Sequence, residues 1–125
     1  MTPEQLARAG TEHAHQCALM CWCALNFETY PELKLLFAIP NGGERNPVVA
    51  SRLKAEGVKS GVPDLFLPVA RHGYHGLFIE MKKPKGTIAE NQTKWHIDLQ
   101  EQGYGVSVCF GWESARHHLV EWLKE

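Results

Sequence analysis

Asp64, Glu80 and Lys82 are the residues of this 125-residue chain whose types and spacing suit hydrolytic chemistry. They belong to one otherwise apolar stretch, Gly61 to Lys82. Val62 to Val69 and Leu77 to Met81 read as two β-strands, with turn chemistry between them in His72-Gly73 and His75-Gly76. Side chains alternate along a strand, so Glu80 and Lys82 share one face while Ile79 and Met81 take the other. Two carboxylates and an ammonium gathered in a small sheet are costly to desolvate unless they are well paired or do chemistry. One chemistry they permit is metal-assisted hydrolysis, of a phosphodiester for example. Asp64 and Glu80 are hard oxygen ligands for Mg²⁺ or Mn²⁺, which lowers the pKa of a bound water and neutralises charge on a phosphate. Lys82 can orient the attacking water, help it lose a proton or stabilise a developing oxyanion. Its purely structural reading is an ion pair with Asp64 or Glu80, and such a pair at a surface contributes little stability.

The elements that must position these groups are readable around them. Thr2-Pro3-Glu4-Gln5 starts a short helix that ends or bends at Gly10. Thr11 caps a second helix to about Glu28, with Ala14, Cys17, Cys21, Ala24 and Leu25 as its apolar face. Glu12 in its first turn reads as a helix-dipole partner. After Pro31, Leu33 to Ile39 reads as the first strand and Pro40-Asn41-Gly42-Gly43 as a loop. Asn46-Pro47 begins a helix that ends before Gly57, with Val48, Val49 and Leu53 as its apolar contacts. Arg45, Arg52, Lys54 and Lys59 cluster in this insertion. They form either a solvated face or the place where a phosphate backbone lies. No aromatic residue is interleaved with them, so base stacking is not suggested.

Beyond the hairpin, Pro84-Lys85-Gly86 is a turn. Thr87-Ile88-Ala89-Glu90 matches a capping box, opening a helix to about Gln102 with Gly103 at its C-cap. Ile88, Gln92, Trp95 and Leu99 share one face of it. Gln92 is then either an amide satisfied by backbone at the helix start or a site residue pointing at Glu80 and Lys82. Gly105 to Phe110 alternates as the last strand, and Glu113 to Lys124 is an amphipathic final helix with Ala115, Leu119 and Trp122 inward. His117 and His118 on that helix read as surface residues. The order α-β-α-β-β-α-β-α defines an α/β fold with a mixed central sheet flanked by helices.

The chain length suits a single domain, 1–125. Lys and Arg number 13 against 14 Asp and Glu, which excludes a generally basic nucleic-acid coat but not a local basic patch. No apolar run is long enough to span a bilayer and the N-terminus lacks a signal-peptide pattern, so an intracellular protein is expected. The four cysteines contain no C-x-x-C. His13, Cys17 and Cys21 fall on one helical stripe, a zinc arrangement in form. The other reading is buried free thiols in a reducing compartment.

Pro63-Asp64 followed by Glu80-Met81-Lys82 resembles the PD-(D/E)XK nuclease signature. With Lys54, Gly57 and Gly61-Val62 before it and Gly86, Gln92 and Gly103 after it, the chain resembles the VRR-NUC family of virus-type replication-repair nucleases, over about Glu12 to Cys109. The resemblance implies a restriction-endonuclease-like core and a divalent-metal-dependent DNA endonuclease. In that family a carboxylate on the first helix, here Glu12, is aimed at the metal. The backbone carbonyl between Glu and Lys, here Met81, also binds metal, and a glutamine at the position of Gln92 belongs to the site. Stand-alone members occur in phages and bacteria as homodimers that act on branched DNA such as Holliday junctions, which implies a role in DNA repair in a bacterial or phage-infected cytoplasm. A nickase or flap-type nuclease is the nearest alternative. A non-catalytic nucleic-acid-binding module would have lost a carboxylate or the lysine, and this chain keeps them.

Overall fold

The structure is a computed structural model and describes residues 1–41 and 46–125. Thr2 caps helix α1 (Pro3–Ala7), its hydroxyl accepting from the Gln5 N–H while the Gln5 side chain accepts from the Thr2 N–H. Thr11 caps α2 (Glu12–Leu25) by accepting from the Ala14 N–H at 3.0 Å. The buried face of α2 is Ala14, His15, Ala18, Leu19 and Cys23, not the expected Cys17–Cys21–Leu25 stripe. Ala, Cys, Met and Trp surround this helix on nearly every side, so periodicity alone does not select the face that docks. Leu19 and Ala18 do, because they meet the sheet.

The expected first strand over Leu33 to Ile39 is mostly a 3-10 turn, Pro31–Leu35, followed by a two-residue strand β1 (Phe37–Ala38). Pro31 presets the turn, and Leu33 and Leu36, one turn apart, anchor it in the core. Helix α3 (Pro47–Ala55) is capped by Asn46, which accepts from the N–H groups of Val48 and Val49. It buries none of its residues. Val48 is 68% exposed, so the apolar contacts expected of Val48, Val49 and Leu53 are not core contacts.

Strands β2 (Leu65–Leu67) and β3 (Leu77–Lys82) form the antiparallel hairpin. β2 is shorter than the apolar run around it because Pro63 and Pro68 cannot donate to a ladder. His72 and Gly73, both at positive φ (55° and 85°), make a tight turn between Arg71 and Tyr74. Helix α4 (Glu90–Glu101) then carries the chain to β4 (Gly105–Phe110), which pairs parallel with β3, and α5 (Trp112–Leu123) completes the chain. The sheet order is β1-β2-β3-β4, antiparallel up to β3 and parallel beyond it. This is the expected mixed sheet flanked by helices.

One face of the sheet presents Leu65, Leu67, Leu77, Ile79, Met81 and Cys109 to Ala18, Leu19 and Cys23 of α2 and to Trp112, Ala115 and Leu119 of α5. That is the core. Burial pushes the thiols of Cys23 and Cys109 up to about 12 and about 11, so both are inert apolar fillers. Cys17 and Cys21 are only half-buried. His117 is exposed, but His118 is half-buried, its Nδ1 2.9 Å from the Ser114 carbonyl. No helix among the described residues is long and apolar enough to cross a membrane.

Candidate active site

The opposite face of the hairpin carries the polar groups. Leu65 pairs with Ile79, so extending the register by one residue sets Asp64 across from Glu80. Lys82 lies one pleat repeat further along the same face. Glu80 is 1% exposed and Lys82 5%. This burial is unusual for charged side chains and is tolerated only where partners are supplied.

Each partner is identifiable. The Asp64 Oδ2 accepts from the Met81 N–H at 2.7 Å. Pro63 ends β2 at this point, and the Asp64 side chain takes the place of the missing strand. In a strand, the N–H and C=O of one residue leave by the same edge. The Met81 carbonyl therefore leaves β3 on the Asp64 side, whereas the Lys82 carbonyl points the other way and accepts from the Gly111 N–H at 2.7 Å. The glutamine on α4 ties the rest together. Its Oε1 accepts from Lys82 Nζ and from the Ala89 N–H, each at 2.9 Å, while its Nε2 donates to Glu80 Oε2 at 3.3 Å.

Gln92 thus satisfies backbone at the helix start and also points at Glu80 and Lys82. It also moves the helix start. α4 begins at Glu90 with Ala89 as N-cap, two residues later than a capping box on Thr87 requires. Ile88 consequently lies before the helix, 41% exposed, and not on its inner face.

His96, one turn after Gln92, is 8% exposed with its Nε2 3.1 Å from Glu80 Oε1. Sequence reading missed it. The signal was its i+4 spacing from Gln92, which puts both on one helical stripe, but only the path of α4 across the sheet shows what that stripe faces. Burial, the like charge and hydrogen bond of Asp64, and the more distant charge of Glu12 push Glu80 up to about 9, against the pull of Lys82. Burial and the Lys82 charge lower His96. At neutral pH the metal-free Glu80–His96 contact is therefore a hydrogen bond between neutral groups, not an ion pair. Glu12 is an exposed residue in the first turn of α2, where its charge suits the helix dipole and also reaches Glu80.

Two carboxyl groups set side by side, with Glu80 raised by burial and by Asp64, form an oxygen donor set of the kind a hard cation takes. Among the described residues no three His, Cys, Asp or Glu side chains gather closely enough to encage one. Two carboxylates and a carbonyl match Mg²⁺, which keeps most of its waters. His13 and Cys17 are 3.5 Å apart, but Cys21 Sγ turns to the Met1 carbonyl at 3.6 Å, so the three do not converge on a zinc position. Arg52, Lys54 and Lys59 are exposed on α3 and the loop after it, and Arg45 lies outside the described residues.

A mixed sheet whose hairpin aligns an Asp with a Glu-x-Lys is the arrangement of PD-(D/E)XK nucleases. The VRR-NUC domain model matches residues 3–112, and the chain belongs to the VRR-NUC family. A solved structure described as a VRR_NUC domain protein superposes with a TM-score of 0.76 at 29% identity, covering 90% of this chain and 88% of its own. No curated protein matches the chain.

Proposed function

We propose that the protein is a divalent-metal-dependent DNA endonuclease, one domain over 1–125, that hydrolyses phosphodiester bonds in branched DNA of the Holliday-junction type as a homodimer. The observation that carries the chemistry is the burial of Glu80 opposite Asp64, with Lys82 joined to it through Gln92. Asp64, Glu80 and the Met81 carbonyl would hold Mg²⁺ or Mn²⁺, with Glu12 completing the acidic wall. When bound, the ion supplies an acidic water and neutralises phosphate charge. Lys82 presents its ammonium to the attacking water or to the developing oxyanion, and Gln92 fixes where that ammonium stands. His96 positions the Glu80 carboxylate through Oε1. Arg45, Arg52, Lys54 and Lys59 contact the phosphate backbone. The branched substrate and the homodimer are carried over from the family, where two sites related by a two-fold axis suit paired incisions.

A cleavage panel tests this reading. Linear, nicked, flap and four-way DNA are each incubated with Mg²⁺, Mn²⁺ or EDTA. Four-way DNA is expected to be cut fastest, with no product in EDTA and none from Asp64→Asn or Glu80→Gln. Near wild-type cleavage by either variant would overturn the site. Preference for a nick or flap would move the substrate to the alternative reading.

A further inference from the structure

The loop from 58 to 62 separates two grooves. One, about 690 Å³, is lined by Ser51, Lys54, Lys59 and Ser60 together with Ala50 and Val58. The other, about 350 Å³, is lined by Ile39, Pro40, Val58, Lys59, Val62 and the indole of Trp95. Val58 and Lys59 belong to both. The loop is fastened to α4. Asn91 Nδ2 donates to Ser60 Oγ at 3.0 Å, and Gly61, at φ +89°, lies so close that a Cβ there would stand 2.9 Å from Asn91 Nδ2 and 3.0 Å from Trp95 Cδ1. Trp95 is a large half-buried residue that lies outside the core cluster, and its indole N–H meets no acceptor among the described residues.

We infer that the second groove receives one unstacked base of the DNA substrate against Trp95, while Lys54 and Lys59 hold the adjoining phosphates. The inference rests on the nuclease reading above and names the substrate feature that it recognises. Three observations select this occupant. The groove shares its elements with the site: Val62 lies on the segment that leads into Asp64, and Trp95 lies on α4 with Gln92 and His96. Its volume lies in the range of small-ligand sites. An aromatic surface beside lysine ammoniums is the combination that binds single-stranded nucleic acid. Glu56, also on the rim, can accept from an exocyclic amine. The aromatic partner that the basic cluster lacks in sequence is thus brought to it from α4.

The test uses forked DNA with 2-aminopurine at each of the first three unpaired positions in turn, and a duplex of equal length, both bound in EDTA. Binding to the wild-type protein is expected to quench 2-aminopurine at one unpaired position. Trp95→Ala is expected to abolish that quenching and weaken fork binding on the order of tenfold, the loss of one stacked base. Duplex binding is expected to change less than twofold, and Trp95→Phe to retain most fork affinity. Equal losses on both DNAs, or a bound wild-type complex with unquenched probe at all three positions, would overturn the inference. The quenching is read on wild-type protein, so it stands even if Trp95→Ala fails to fold. Cleavage with Mn²⁺ separates the two levels. An intact nuclease with no role for Trp95 removes the groove alone, whereas a protein that neither binds nor cuts any DNA removes the nuclease reading.

Discussion

Glu80 is held in a form that ordinary carboxylates do not keep at neutral pH. Its folded pKa of about 9 lies above the usual 4.5, so between these values the metal-free folded state holds a proton that the unfolded chain has lost. Stability is then present below pH 4.5 and falls as pH rises towards 9, by about 1.4 kcal/mol per unit at most. Glu80→Gln, a neutral mimic of the protonated acid, is expected to melt higher than wild type in EDTA at pH 8 to 9 and to match it near pH 4. A variant that melts lower at pH 9 would contradict this. Lys82→Ala is expected to lose turnover by at least a hundredfold while calorimetry still detects Mn²⁺ binding; loss of metal binding as well would make Lys82 a scaffold. The shared face of Glu80 and Lys82 was legible in the sequence because strand alternation assigns it, whereas the alignment of Asp64 with Glu80 needed the register of β2 on β3. His96 was not legible, because its role arises only when α4 crosses back over the sheet.

Helix α4 does for the site what no strand does. Its first two turns offer Asn91 to the basic loop, Gln92 to Lys82 and Glu80, and His96 to Glu80. One rigid element thereby sets Glu80, Lys82 and the loop that carries Lys59. Gly61→Ala would force a side chain at positive φ into Asn91 and Trp95. It is expected to lower stability by about 1–3 kcal/mol, read as a drop in the thermal midpoint, and to weaken DNA binding along with it. An unchanged midpoint would mean that the loop is not fastened there. Element type was legible for the helices and the hairpin, through caps, glycines and period-2 runs. Boundaries failed where proline intervened, at Pro31, Pro63 and Pro68, and where one side chain, Gln92, outranked the local capping signal. The docking face of α2 failed because a helix apolar on most sides has no single stripe to read.

At the scale of the whole molecule, a balanced net charge of −1 conceals a paired Asp64 and Glu80 on the hairpin and exposed cations on α3 and the loop after it. Lys54→Ala and Lys59→Ala are each expected to reduce the slope of log affinity against log salt by about 1, with losses similar across DNA sequences. Unchanged slopes would place both lysines away from the DNA. Light scattering is expected to give twice the mass of the chain, and a monomer at all concentrations would remove the paired-incision scheme. One amide offers a view of the pocket that requires neither substrate nor label. The Met81 N–H is bonded to the Asp64 carboxylate where a neighbouring strand would otherwise hold it. Its hydrogen exchanges for deuterium only when that carboxylate lets go, so the exchange rate of this single position times the opening of the acidic mouth.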